Sequence, residues 1–210
     1  MTEKEFNEIA KEVTESKGDN IDDFEYYSYY KCPDQYVGKI KNVIKKKRFW
    51  RKNINKFDCS DPIFVLLQES PHQDEYEYDE DVSKRVPIGP SNGGTGVKIW
   101  KCLRKKLGEL GEDYGKYKDF SLILMNPIQY QCSLGRETKH YRTRMFRKIF
   151  SKDDLGERIL EICKISTTVV ILPAPTSAVK QKIEEFLNEL KAKNIENLKI
   201  LPLVSHPSTW

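Results

Sequence analysis

No Cys-x-x-Cys pair occurs in this chain, and its five cysteines, Cys32, Cys59, Cys102, Cys132 and Cys163, are an odd number at wide spacing. That excludes a disulfide framework and a zinc or iron–sulfur knuckle, and it points to a reducing, cytoplasmic compartment. Histidine is scarce, with three residues and no H-x-x-x-H or H-x-x-E-H pattern, so His72-Gln73-Asp74-Glu75 together with His206 makes a poor metal site. No metal and no organic cofactor is expected. No uninterrupted apolar run approaches the roughly 18 residues of a spanning helix. The start, Met1-Thr2-Glu3-Lys4-Glu5-Phe6, lacks a basic segment followed by an apolar one, so neither membrane insertion nor secretion is expected. The one glycine-rich stretch, Pro87 to Gly96, lacks both the Lys-Ser/Thr ending of a P-loop and the G-x-G-x-x-G spacing of a dinucleotide site.

What is present suits a soluble globular protein. The chain has 210 residues, 38% hydrophobic and 32% charged, which is enough for one domain with an appendage, read as a monomer. Its formal charge is +4, but the charge comes in blocks. Residues 1–30 carry a net −6 and residues 31–60 a net +8, the latter including Lys45, Lys46 and Lys47. A second basic run, 136–148, contains Lys139, His140, Arg142, Arg144 and Arg147. Such runs are solvated faces or phosphate-tracking surfaces; Tyr36, Phe49, Trp50, Tyr141 and Phe146, interleaved with them, suit base stacking or a core.

Phe6, Ile9, Ala10 and Val13 recur at helical spacing, so the acidic start reads as an amphipathic helix ended at Gly18-Asp19-Asn20. Residues 36–52 read as a second, basic helix. Residues 1–60 therefore form an acidic-then-basic helical extension packed on the core. From residue 61 the pattern changes. Apolar runs at 62–67, 120–125, 168–172 and 198–204 read as buried strands, separated by helical stretches at 97–110, 139–165 and 175–192. This predicts a three-layer α/β/α fold with a central, mostly parallel sheet of about four strands over 61–210.

In such sheets ligands lie beyond the carboxyl ends of the strands, which singles out the segments after each strand. These are Gln68-Glu69-Ser70-Pro71-His72, Asn126-Pro127-Ile128-Gln129-Tyr130, Pro173-Ala174-Pro175-Thr176 and Ser205-His206-Pro207-Ser208-Thr209-Trp210. A carboxylate, an amide and an imidazole converging on one crevice suit cleavage of a bond whose leaving group becomes an anion. Taken singly, Glu69 reads as a loop cap, Asn126-Pro127 as a turn opener and His206 as a packing residue. Their order at successive strand ends favours the joint reading.

At these places the chain resembles the uracil-DNA glycosylase superfamily, over about residues 61–210. Leu66-Leu67-Gln68-Glu69-Ser70-Pro71-His72 looks like the family's first motif, which implies that Glu69 positions the attacking water. Leu122-Ile123-Leu124-Met125-Asn126 is similar to the strand ending in the asparagine that pairs with the flipped pyrimidine. Ser205-His206-Pro207-Ser208 is similar to the histidine-proline-serine motif, whose histidine stabilises the departing base. The Pro-Gly-Ser-rich stretch, with Ser91, Gly93, Gly94 and Thr95, resembles the loop that grips DNA backbone. Glu69 stands where the best-known branch has aspartate, and Ser70 or Pro71 where it has a tyrosine that blocks bulkier bases. The four cysteines of the iron–sulfur branch are absent. The chain stops four residues after His206, which leaves Trp210 for the wedge role.

The expectation is thus a monofunctional DNA base glycosylase that needs no cofactor. Glu69 and His206 are its catalytic residues. Gln68, Ser70, His72, Tyr76, Asn126 and Tyr130 hold the base. Ser91, Gly93, Gly94, Thr95, Ser208, Trp210, Lys45, Lys46, Arg142 and Arg144 contact DNA. The base is uracil or an enlarged, modified or damaged pyrimidine of the kind found in some phage genomes, which would suit a role in base excision or anti-phage defence. Two competitors are a catalytically silent nucleic-acid-binding module of the same fold and an N-glycosidase acting on free nucleosides.

Overall fold

A computed structural model describes residues 1–15, 28–43, 61–81, 84–91, 94–132, 138–150 and 154–210. Lys45, Lys46, Lys47, Phe49, Trp50, Asn92 and Gly93 lie outside the described residues, as does the turn expected at 18–20. The elements run α1 (Glu3–Glu15), β1 (Gln35–Lys39), α2 (Ile40–Val43), β2 (Ile63–Leu67), β3 (Tyr76–Asp79), β4 (Lys84–Pro87), α3 (Gly94–Glu109), α4 (Tyr114–Tyr117), β5 (Ser121–Met125), α5 (Thr138–Ile149), α6 (Leu155–Ile165), β6 (Val169–Pro173), α7 (Lys180–Ala192) and β7 (Leu198–Ile200).

The main sheet has the order β1-β5-β2-β6-β7. β2 pairs in parallel with β5 on one edge and β6 on the other, and β6 pairs in parallel with β7. β2, β5 and β6 are each five residues buried throughout, which is why they stand out in the sequence as continuous apolar runs rather than alternating ones. The side chains still alternate between the two faces. Ile63, Val65, Leu67, Ile123, Met125, Val169 and Ile171 join residues of α1, α5, α6 and α7 in one core. Phe64, Leu66, Leu122, Leu124, Val170 and Leu172 join α3 and α4 in the other. Two helical layers therefore enclose a mixed, mostly parallel sheet, as expected.

Three elements differ from the sequence reading. Residues 36–39, the start of the helix expected over 36–52, lie in β1, an antiparallel edge strand on β5, and Ile40–Val43 follows as helix; 44–52 lie outside the described residues. The cause is tertiary: β5's outer edge offers unpaired backbone, and Gly38, at φ +116, lets β1 follow it through a register shift between Tyr36 and Gly38. β7 is shorter than its apolar run, because Pro202 has no N–H to donate. Leu201 and Val204 nevertheless still donate to Ile171 O and Pro173 O, both at 2.9 Å. The acidic stretch after His72 forms a 3₁₀ turn (Gln73–Glu75) and the hairpin β3–β4, with Tyr76 facing inward and Glu77 and Tyr78 outward.

One arginine fastens the loop after β5. Arg158, on α6, donates through Nη1 to both oxygens of Asp34 at 2.7 and 2.8 Å, through Nη2 to the carbonyls of Asn126 and Pro127 at 3.0 Å, and through Nε to Asp154 at 2.7 Å. The Asp34 side chain is 5% exposed, so removing the guanidinium strips a buried carboxylate of its counter-charge. Arg158→Ala is expected to lower the unfolding free energy by about 3–5 kcal/mol. Urea denaturation of the two proteins measures it, and a loss well under about 1 kcal/mol would contradict this account.

Candidate functional site

The strand order makes the crevice. The chain leaves β2 for β5 on one side and later crosses to β6 on the other, so the loops after β2 and β6 diverge to opposite faces of the sheet. Backbone bonds fix the floor of the crevice. Gln68 N–H donates to Met125 O at 2.9 Å, and Ala174 N–H donates to Leu67 O at 2.7 Å. Above it lies a cavity of about 420 Å3, bordered by Gln68, Glu69, Ser70 and His72 after β2, the first turn of α3, Arg142 of α5, Thr176 after β6, and His206 and Ser208 near the end of the chain.

Glu69 is 3% exposed. One carboxylate oxygen accepts from Thr176 N–H at 3.3 Å, and the other sits 2.9 Å from Arg142 Nε as an ion pair whose N–H is not aligned for a hydrogen bond. Burial pushes its pKa up, opposed by Arg142 and by the bonds from Thr176. His206 caps the 3₁₀ turn Pro207–Thr209, its Nδ1 accepting from Ser208 N–H at 3.2 Å. Acceptance at Nδ1 assigns the proton of the neutral ring to Nε2. Desolvation, and then the positive charge of Arg142, lower the His206 pKa to about 4, so the imidazole is neutral at pH 7. His72 is also lowered, mainly by desolvation and against the pull of Asp74, whose carboxylate lies 3.4 Å away.

The walls hold unusual polar atoms. Among the described residues, Gln68 Nε2 and Ser70 Oγ are buried without a hydrogen bond, and both residues border this cavity; Glu69 Oε1 and Arg142 Nε face each other as the ion pair.

Of the residues singled out in the sequence, Gln68, Glu69, Ser70, His72, Gly94, Thr95, Arg142, His206 and Ser208 line this cavity. Others do not. Asn126 is 3% exposed, and its Nδ2 is directed at Glu75 Oε2, 3.4 Å away, beneath the site. Tyr76 donates its hydroxyl to Tyr30 O at 3.0 Å, and Tyr130 stacks on Phe6 with ring centroids 5.8 Å apart, so both rings belong to the core. Ser91 is buried, and its groups are bonded to Gln68 and Glu75 rather than offered to a phosphate. Trp210 donates its indole N–H to Ser205 O at 2.7 Å and packs, half-buried, against the core that includes α3, outside the cavity wall. Arg144 is half-buried on α5 and is not part of the cavity wall.

Asp74, Glu75, Lys98 and Thr176 also border the cavity without having been given a role at the site in the sequence, and the inward turn of Arg142 toward Glu69 was not foreseen. Glu75 is 7% exposed, accepts from Ser91 N–H at 2.6 Å, and is pushed up to about 8 by desolvation. Inside an acidic stretch that otherwise faces water, nothing in its spacing marks it.

No protein-family model, no curated protein and no solved structure matches this chain.

Because the folded-state pKa of Glu75 lies above its ordinary 4.5, the native state binds a proton that the unfolded chain has lost between those values. Stability is therefore full below about pH 4.5 and falls as pH rises toward 8. Glu75→Gln is expected to remove this slope and to melt several degrees above the parent at pH 8 while matching it near pH 5. Thermal melts across that range check it, and parallel curves would contradict the assignment.

Proposed function

We propose that the protein is a DNA N-glycosylase that hydrolyses the bond between a base and its sugar in the cavity over β2 and β6. The observation that carries this reading is the placing of a buried carboxylate, Glu69, and a neutral imidazole, His206, on one cavity. A volume of about 420 Å3 suits one extruded nucleotide. The first turn of α3, with Lys98 beside it, supplies a helix N-terminus and a cation for the adjoining phosphate.

The chemistry divides between the two residues. As the glycosidic bond breaks, its electron pair leaves with the base and positive charge grows on the sugar. The Glu69 carboxylate opposes that charge and takes a proton from the water whose oxygen joins the anomeric carbon. The Nε2–H of His206 stabilises the base leaving as an anion. A neutral donor suits this role because it holds the anion without surrendering its proton, as a low imidazole pKa ensures. Arg142 opposes the effect of burial on Glu69 and favours its ionised form. Uracil is the default base, and an enlarged or modified pyrimidine fits a loop that carries Ser70 where a bulkier residue would narrow the site.

Incubation with oligonucleotides containing uracil or modified pyrimidines, followed by alkaline cleavage at abasic sites, tests the proposal. Release from one base is expected, with Glu69→Gln slower by about 10²–10⁴-fold and His206→Ala slower by about 10²-fold. DNA binding without release from any member of the panel would contradict hydrolysis and leave a binding module.

The reaction requires ionised Glu69, whose pKa lies above 4.5, and neutral His206, whose pKa is about 4. Activity should therefore fall on the acid side with a midpoint above 4.5, set by Glu69. A pH profile of kcat/KM measures this, and the residual activity of Glu69→Gln should lack that limb.

A further inference from the structure

We propose that the substrate is single-stranded DNA and that the strand carrying the extruded base lies along the outer face of α3, its phosphates held by Lys98, Lys101 and Lys105. This rests on the glycosylase reading and names the form of DNA that the site takes.

Spacing along α3 makes the track. Gly96, Ile99, Leu103 and Leu107 face the core. With about 3.6 residues per turn, Lys98, Lys101 and Lys105 fall on the opposite side, one above another at i, i+3 and i+7. At about 1.5 Å per residue the row is about 10 Å long. Lys98 stands at its cavity end, where it borders the site and donates to Ser208 O, which ties the turn that carries His206 to α3. Lys101 and Lys105 continue the row on the exposed surface. A strand leaving the cavity on this side meets a cation at every turn of the helix.

These charges are not spent inside the protein. α3 carries five cations and one acid, Glu109. Lys106 holds Glu109 at 2.7 Å, and Lys105 lies 3.8 Å from it. Among the described residues no carboxylate pairs with Lys98, Lys101 or Arg104. The rings of Trp100 and Tyr114 brace two of them instead, with Lys101 Nζ and Arg104 Cζ 5.4 and 5.6 Å from the ring centroids. Other helices differ. On α5, Arg142 pairs with Glu69 and Lys148 with Glu12; on α7, Lys180 pairs with Glu184 and Lys182 with Glu185. Each phosphate that the α3 row neutralises releases bound counterions, whatever the base sequence.

The other flank opposes a second strand. Asp74 borders the cavity, and the hairpin β3–β4 that follows exposes Glu77, Glu80 and Asp81. Its own cations are committed: Lys84 Nζ donates to Glu3 of α1 at 2.9 Å and Arg85 Nη2 to Tyr76 O at 3.1 Å. The bond to α1 sets the hairpin beside the layer across the sheet from α3. A duplex over the mouth brings two phosphate backbones, one of them toward these carboxylates, and a screening length of about 8 Å in physiological salt does not remove repulsion at contact. A single strand needs only α3.

Fluorescence anisotropy with a labelled, unmodified single strand, titrated across salt concentration, tests the track without requiring base release. The parent is compared with Lys101→Gln/Lys105→Gln and with Lys191→Gln/Lys193→Gln, which removes the same charge at the end of α7. The slope of log affinity against log salt is expected to be about 1.4 smaller in the α3 variant, two contacts at about 0.7 each, and unchanged in the α7 variant. Equal slopes in all three proteins, or an equal fall in both variants, would overturn the track. The parent is also expected to bind the single strand more tightly than a duplex of the same sequence, and Glu77→Gln/Glu80→Gln/Asp81→Asn to narrow that gap by strengthening duplex binding. A parent that binds both forms equally, or a gap that the hairpin variant leaves unchanged, would overturn the single-strand assignment. Binding that depends on α3, without base release from any strand, would sustain the track while removing the hydrolytic reading. Base release from free nucleosides, with no affinity for strands, would do the reverse.

Discussion

β2 is bonded on both edges, to β5 and to β6, and is buried on both faces. A strand so enclosed leaves its chain one exit, forward past its carboxyl end, and there the sheet changes direction. Gln68 and Glu69 are consequently delivered into the crevice by backbone bonds from both neighbouring strands. Everything at the site follows from that constraint. Thr176 reaches Glu69 because β6 runs in register beside β2 and its loop turns the other way. His206 arrives because β7 is the next strand out, and its continuation is still bonded to β6 at Val204.

Burial then sets the electrostatics. One low-polarity environment pushes Glu69 and Glu75 up and His206 down, which in each case favours the neutral form. Only Glu69 has a cation beside it. Arg142 opposes the rise at Glu69 and, second to desolvation, adds to the fall at His206. One guanidinium thus biases the acid toward its charged form and the imidazole toward its neutral one. Glu75, without such a partner, is left as a neutral structural group that shapes the wall behind Gln68.

How legible this was in the sequence depended on whether local pattern or tertiary context decided each residue. The buried strands could be read because β2, β5 and β6 are short apolar runs, too short for helices of their own and separated by helical stretches. The position of Glu69 and His206 after strands followed from that. β1 could not be read: Gly38 and Lys39 are poor strand residues, and only the free edge of β5 recruits them. Arg142 was legible as basic but not as a partner of Glu69, since a run of cations gives no sign that one of them turns inward. Asn126 stands after β5, where the sequence placed it, but the direction of its amide is set by Glu75, fifty-one residues away in sequence. Tyr76 and Tyr130 show the opposite limit, for an aromatic residue beside a loop carries the same local signature whether it faces a ligand or a core.

The account's central claim is that the cavity over β2, rather than an outer face of the protein, receives the nucleotide. Heteronuclear NMR of the Glu69→Gln protein, titrated with a uracil-containing oligonucleotide, tests this through the side-chain signals of Gln68 and Arg142. Both signals are predicted to shift strongly and to saturate together, while the guanidinium signal of Arg158, locked behind the site, stays in place. Shifts confined to surface amides, with the Gln68 and Arg142 side chains unmoved, would contradict the claim.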